Sequence, residues 1–426
     1  MVVIDFLINQ IFREASLFLG IIALVGLIMQ RKSVSDILKG TLKTVIGVII
    51  LTQGANILVG SMLPLSNAFS ELFKISSAAQ MNPIGTEKFI AQFGSEIGAS
   101  MLLAFLINVA VARYTRIKNI FLTGHHLFWF AFIFVALGVE AGLKGAALLI
   151  TSTVLLAFYI VFVPALIRPF VRAVTGDDSF TLGHPTVGLS LVSGVLGKYL
   201  GDKSRSTEDL KIPESLSFLR EITVVSSIVM GSVYLAVGLM LGGKAAELYS
   251  PDKNLLVYSL LQGVLFGAGL TILLTGVRMM LAEIIPAFKG ISDKLIPDAI
   301  PALDCPIIFP YAPNAVLIGF LVSMVTSVVT IAVCARFGTF TYAVLPLTIT
   351  CFFEIGTAAV IGNGTGGIRG AIIGSGVAGV LMILLVGFSI PFLVHTVSDF
   401  IIIFGGNDFS IWAIIVGALT RMLGIA

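Results

Sequence analysis

Residues 281–314 read LAEIIPAFKGISDKLIPDAIPALDCPIIFPYAPN. This stretch decides the fold, because here a strongly apolar chain stops being apolar. Apolar runs at 255–281 and 315–335 lead into it and out of it, and between them lie six prolines, several acids and no clean apolar span. A chain in lipid tolerates broken backbone at depth only where protein or a water-filled cavity surrounds it. Discontinuous segments of this kind build substrate sites in transporters. Asp304 lies in the second half of the stretch, with apolar residues on both sides except Cys305.

Composition supports the same class. Of 426 residues, 57% are hydrophobic and 12% charged, and the mean hydropathy is +1.05. A soluble chain carries about twice that charged fraction. The reading is an all-α polytopic membrane protein. A net charge of +3 gives no reason to expect a nucleic-acid partner. Cys305, Cys334 and Cys351 lie in or beside apolar runs without CxxC spacing, so they read as packed thiols, and no metal or cofactor is expected. Residues 1–16 lack the basic region and cleavage site of a signal peptide. Val3, Phe6, Leu7 and Phe12 roughly follow one helical face, which suggests an interfacial helix.

Apolar runs at 17–30, 45–63, 97–112, 120–140, 141–167, 222–241, 255–281, 315–335, 342–361, 371–394 and 411–425 predict about eleven transmembrane helices. Residues 182–200, LGHPTVGLSLVSGVLGKYL, are too polar and glycine-rich for a plain span and read as a re-entrant segment. Arg31, Lys32, Lys39 and Lys43 follow the first run and place the first loop in the cytoplasm. The N-terminus is then outside and, after an odd number of spans, the C-terminus inside. Thr52, Gln53, Gly54 and Asn56 interrupt the second run. GNGTGG at 362–367 lacks the GK[ST] of a phosphate loop and reads as a tight turn before Arg369.

The chain echoes itself. Residues 51–72 lie on 273–294 without gaps: Gly54 meets Gly276, Pro64 meets Pro286, Ser70 meets Ser292 and Glu71 meets Asp293, and in the same register Asn82 meets Asp304. Two inverted repeats follow, with halves 15–215 and 216–426 inside one transmembrane domain covering 1–426.

His125 and His184 each sit beside a glycine, where backbone can approach a ligand, and an imidazole in hydrocarbon needs partners. His126 and His395 read as helix caps or carbonyl donors. Asp304 precedes Cys305 and Pro306, so it is either a helix N-cap or an acceptor for carbohydrate hydroxyls, two roles that can coexist. Glu354, in CFFEIGT, is a partner for Arg278 or Arg369, a cavity acceptor or a proton site.

Five stretches carry a resemblance: RKSVSDILKGTLKTVIG at 31–47, LTGH at 122–125, FTLGH at 180–184, STEDLKIP at 206–213, and GVRMMLAEIIPAFKGISDKLIPDAIPALDCPIIFPYAPNAV at 276–316. In these the chain resembles the membrane-embedded IIC component of the bacterial phosphoenolpyruvate-dependent phosphotransferase system, ascorbate type, in the ascorbate–galactitol superfamily. The resemblance implies a homodimer in the cytoplasmic membrane, with a dimerising scaffold domain and a mobile core domain that carries the substrate by an elevator movement. It implies a carbohydrate substrate, partner IIB and IIA proteins, and a phosphocysteine on IIB rather than on this chain. It places substrate-binding residues at His125, His184 and Asp304, a small-residue break at Gly54, and Asn82 near a position where the family offers a hydroxyl. Trp129 stands where ascorbate carriers have an amide, Pro185 where they have glutamine, Phe309 where they have an aromatic hydroxyl, and Glu354 where a small polar residue is expected. Trp129 and Phe309 are expected to contact the sugar face. These departures leave a pentose, hexose or polyol beside ascorbate as substrate. A secondary transporter driven by H+ or Na+, with Glu354 and Asp304 as coupling groups, is the alternative.

Overall fold

The computed structural model describes residues 14–72, 83–210, 222–245, 252–294, 296–340 and 347–424, with positions 249 and 344. The N-terminal stretch read as an interfacial helix and Asn82 lie outside the described residues. The chain is mostly helical. In order come α1 (Ala15–Met29), α2 (Val34–Leu72), α3 (Thr86–Tyr114), α4 (Gly124–Glu140), α5 (Gly145–Thr175), α6 (Val187–Leu200), α7 (Ile222–Leu241), α8 (Leu255–Lys294), α9 (Pro313–Phe337), α10 (Gly356–Ser389), α11 (Ser398–Phe404) and α12 (Asp408–Met422). Seven helical stretches among the described residues are long and apolar enough to cross a membrane. Helices α4 and α6 are shorter apolar segments. The chain is a multi-pass membrane protein.

Residues 281–314 divide into parts with separate physical causes. The first part is helical: α8 runs on through Pro286 to Lys294. Strand β3 (Ile300–Leu303) follows, then Asp304, a 3-10 helix (Cys305–Tyr311), and α9 from Pro313. The density of prolines explains the change of structure: α8 absorbs the single Pro286, but Pro297, Pro301, Pro306 and Pro310 in close succession remove too many N–H donors for an α-helical ladder and suit a strand or a 3-10 turn.

Helix α2 is also unbroken at Gly54, against expectation. Gly54 instead lets two helices touch. A Cβ there would collide with the Leu273 backbone, and one on Gly276 would collide with the Leu51 backbone. Gly47 meets Met280 in the same way. Residue numbers run in opposite directions, so α2 and α8 cross antiparallel. Small residues permit this close approach where lipid supplies no hydrophobic drive between helices.

At 356–389 the backbone leaves helical geometry at Gly366 and Gly367, the latter with φ +59°. Gly362 and Gly370 then meet backbone to backbone, although eight residues of straight helix would separate them by about 12 Å. The chain therefore doubles back here, as the glycine-rich sequence predicts. Residues 202–209 brace the turn. Asp202 N–H donates to Gly366 O (2.8 Å), Ile368 N–H donates to Arg205 O (2.8 Å), and Asn363 Oδ1 accepts from Thr207 N–H (2.9 Å). Glu208 accepts from Asn314 N–H (3.0 Å) at the start of α9. On the loop after α5, the Arg168 guanidinium hydrogen-bonds Asp178 and, with Arg172, holds its carboxyl below the usual aspartate range.

A three-stranded parallel sheet, absent from the sequence reading, lies inside the protein. Central β3 is flanked by β1 (Asn119–Phe121) and β2 (Thr181–Leu182). Side chains satisfy the outer edge of β1 and tie the two flanking strands to α5. Asn108 donates to Asn119 O (3.0 Å) and accepts from Phe121 N–H (2.9 Å), Asn119 donates to Val161 O (2.8 Å), and Thr181 donates to Pro164 O (2.8 Å). Extended backbone can exist at this depth because these polar groups have partners. Residues 182–200 are accordingly a strand end followed by a short helix whose first half is largely buried in protein and whose last residues, 198–200, are exposed.

Candidate substrate site

The three strands are parallel, so their C-terminal ends open on the same side, and each end delivers a polar side chain. After β1 come Leu122, Thr123, Gly124 and the histidines His125 and His126. After β2 come Gly183 and His184, and after β3 comes Asp304. Open α/β sheets place ligands outside strand carboxyl ends by the same geometry. Leu122 N–H donates to Ala302 O (2.9 Å) and Gly183 N–H donates to Leu303 O (2.7 Å), so both side strands are held in register up to the site.

Asp304 is the centre. Its Oδ2 lies 3.4 Å from His125 Nε2, and its Oδ1 lies 3.7 Å from His126 Nε2 and 3.6 Å from His184 Nε2. These separations exceed hydrogen-bond length. Asp304 also caps the 3-10 helix, accepting from Cys305 N–H at 2.7 Å. Thr186 N–H donates to His184 Nδ1 (3.1 Å), so the proton of that neutral ring sits on Nε2 and faces Asp304. His184 thus presents a donor, and Asp304 an acceptor.

The cluster opens into a cavity of about 420 Å³, a size suited to a small-molecule ligand. Trp129 lines it one turn beyond His125, stacked on Phe400 with ring centroids 4.7 Å apart. Phe353, Phe404 and Phe409 add apolar wall, and Thr52, Asn56, Pro185 and Glu354 add to the lining. Glu354 stands on a π-helical turn, Cys351–Ile355, a wide-turn geometry frequent at functional sites. Its Oε1 accepts from Asn407 Nδ2 at 2.8 Å. Glu354 lines the cavity, and among the described residues neither Arg278 nor Arg369 pairs with it.

Other expectations are redistributed. His126 is not a simple cap; it lies in the cluster, its ring 4.0 Å from that of His125 and 4.2 Å from that of His184. His395 is exposed, and its backbone N–H donates to Glu140 Oε1 (2.9 Å). Gly54 belongs to the α2–α8 crossing, while its neighbours Thr52 and Asn56 reach the cavity. Phe309 is buried outside the lining and backs the wall residue Phe353, with centroids 6.4 Å apart. The three cysteines are free and buried.

The glycine beside His184 has a different task from the one expected. A Cβ on Gly183 would stand 2.9 Å from Ala302 O and 3.1 Å from the Phe121 ring, so Gly183 is needed for strand packing, not for ligand approach. Gly183→Ala is expected to cost about 1–3 kcal/mol by overpacking, seen as a lower midpoint of thermal unfolding in detergent.

Two residues that the sequence reading passed over hold the site in place. Asn407 N-caps α12, accepting from Phe409 N–H (3.1 Å), which turns its amide donor toward Glu354. Asp408 accepts from Tyr159 Oη (2.7 Å) and from Gly188 N–H (2.7 Å), clipping α12 to the start of α6 behind His184. The signal for both is the polar pair in GGND at 405–408, between apolar runs.

Donor atoms of His125, His126 and Asp304 lie close enough to surround one cation, as do those of His184, Asp304 and Cys305. In the second set, His184 turns a protonated nitrogen inward. A carboxylate, imidazole donors and aromatic walls form the inventory that holds a polyhydroxylated ring or chain.

A family model for the sugar-specific permease component of the phosphotransferase system matches residues 10–408. The chain is also 28% identical, over 90% of its length and 67% of the relative's, to an ascorbate-specific phosphotransferase-system EIIC component of Mycoplasma pneumoniae. A match over nearly the whole chain places this protein in the family of phosphotransferase-system sugar-specific permease components.

Proposed function

We propose that the chain translocates a carbohydrate, either ascorbate or a related sugar or polyol, and that a separate IIB protein phosphorylates it at the inner face. The observation that carries this reading is the convergence of three parallel strand ends on one cavity, with Asp304 facing His125, His126 and His184. Asp304 accepts substrate hydroxyls, His184 Nε2–H donates to a substrate oxygen, and Trp129 and Phe353 cover the apolar sugar face. The phosphocysteine belongs to IIB, charged in turn by IIA.

The reciprocal contacts of α2 and α8 support the inverted repeat. In the register that lays 51–72 on 273–294, Gly54 touches the counterpart of Leu51, and Leu51 touches the counterpart of Gly54. Such an isologous contact belongs to a two-fold axis. Because the helices are antiparallel, that axis lies across them, in the membrane plane. On this reading the halves are 15–215 and 216–426, the chain has about eleven spans with the N-terminus outside, and a core domain moves as an elevator against a dimerising scaffold.

Uptake into vesicles tests the proposal. Accumulation of phosphorylated sugar is expected only with phosphorylated IIB at the cytoplasmic face. Uptake of unmodified sugar on an ion gradient without IIB would instead establish secondary transport.

A further inference from the structure

Among the described residues, the cavity lining holds three acids, Glu14, Asp304 and Glu354, and no lysine or arginine. Glu354 is 6% exposed. Asn407 satisfies Oε1, and the capping bond from Phe409 N–H fixes which way the Asn407 amide faces. Oε2 is buried and, among the described residues, has no hydrogen-bond partner. Among the described residues no Lys, Arg or His lies within ion-pair distance of Glu354; the imidazoles turn to Asp304. His184 is held as a neutral ring, because its Nδ1 accepts a backbone N–H. The cavity therefore offers an anionic ligand no fixed cation, and it offers a hydroxyl donor an unused carboxylate oxygen.

We propose that Glu354 sets substrate class, making the site select neutral polyhydroxylated carbohydrates over an anionic ene-diol such as ascorbate. A substrate hydroxyl donates to Oε2. An anion in the same place meets like charge wherever Glu354 is ionised, and binds there only with uptake of a proton. Burial sharpens both effects, since a polar group left unpaired in the interior costs more than one at the surface. The inference rests on the cavity being the substrate site.

The test is calorimetric binding by the purified full-length protein in detergent, with ascorbate, xylose, glucose, xylitol and galactitol as probes. Wild type is expected to bind at least one neutral probe about ten-fold or more tighter than ascorbate, the factor set by roughly 1.4 kcal/mol. Glu354→Gln, which keeps an acceptor for Asn407, and Glu354→Ser are expected to tighten ascorbate binding by about ten-fold or more, or to create it where wild type shows none. Ascorbate as the tightest wild-type ligand would overturn the proposal, as would ascorbate affinity unchanged or weakened in folded Glu354→Gln. Should neither variant fold, the wild-type preference decides. Asp304→Asn separates the two levels. Loss of all binding there with no Glu354 effect removes only this inference, whereas retained binding removes the cavity as the substrate site.

Discussion

Asp304→Ala is expected to abolish carbohydrate binding while leaving the protein folded and inserted. Asp304 is the one side chain faced by all three clustered imidazoles, and its oxygens stand too far from them for good hydrogen bonds. Oδ2 is therefore open to substrate hydroxyls, and Oδ1 keeps a second lone pair beside the Cys305 N–H it accepts. Hydrogen bonds to a charged acceptor contribute about 1.5–3 kcal/mol each, so losing two lowers affinity by roughly 100-fold or more. The structural cost is smaller. Asp304 caps a short 3-10 helix through Cys305 N–H, and such a cap contributes about 1 kcal/mol. Asp304→Asn retains an acceptor for that cap and separates the two roles. Calorimetry on purified protein measures the affinity, and gel filtration checks the fold. Wild-type affinity in a monodisperse Asp304→Ala sample would remove Asp304 from the site.

Much of this arrangement is written in residue types. Asp304, His125 and His184 stand out because each is an ionisable group in an apolar run, and lipid makes such groups conspicuous. Their meeting point is not written there. It depends on three strands of two to four residues, too short for alternation to show, and on side chains such as Asn108 that take the place of missing strands. His126 was hidden by its neighbour. Two adjacent histidines at a helix start point about 100° apart on a regular turn, yet both reach one carboxylate here.

Breaks were less legible than spans. Gly54 and Pro64 look like interruptions of α2, as Pro286 does of α8, yet both helices run on. In a membrane protein a glycine can serve packing as readily as a bend. The reversal at Gly366–Gly367 was legible because five closely spaced small or polar residues leave no helix-specifying side chains. What the sequence lacked there was the brace from 202–209, which comes from a segment more than 150 residues away.

Asp408→Ala is expected to weaken both the fold and the site, although Asp408 lies outside the cavity lining. Its two oxygens hold Tyr159 Oη and Gly188 N–H, each at 2.7 Å, and Tyr159 Oη also lies 3.3 Å from His184 O. Alanine would leave the second N–H of α6 without its side-chain acceptor and the Tyr159 hydroxyl with only the longer contact to His184 O. At about 1.5–3 kcal/mol for each bond to a carboxylate, stability should fall by roughly 3 kcal/mol or more. Gly188 explains why the clip is tight: a Cβ there would stand 2.7 Å from Asp408 Oδ1. Tyr159→Phe removes one bond and spares the other, so its cost should be about half. A purely structural clip would lower the unfolding midpoint in detergent and leave carbohydrate affinity unchanged in the folded fraction. A clip that positions His184 would also weaken binding by about ten-fold, the factor for one misplaced hydrogen bond. The second outcome is expected, because Asp408 N–H additionally donates to Pro185 O at 2.9 Å, tying the residue after His184 to the same carboxylate-bearing helix end. Binding at wild-type affinity in Asp408→Ala would restrict its role to stability.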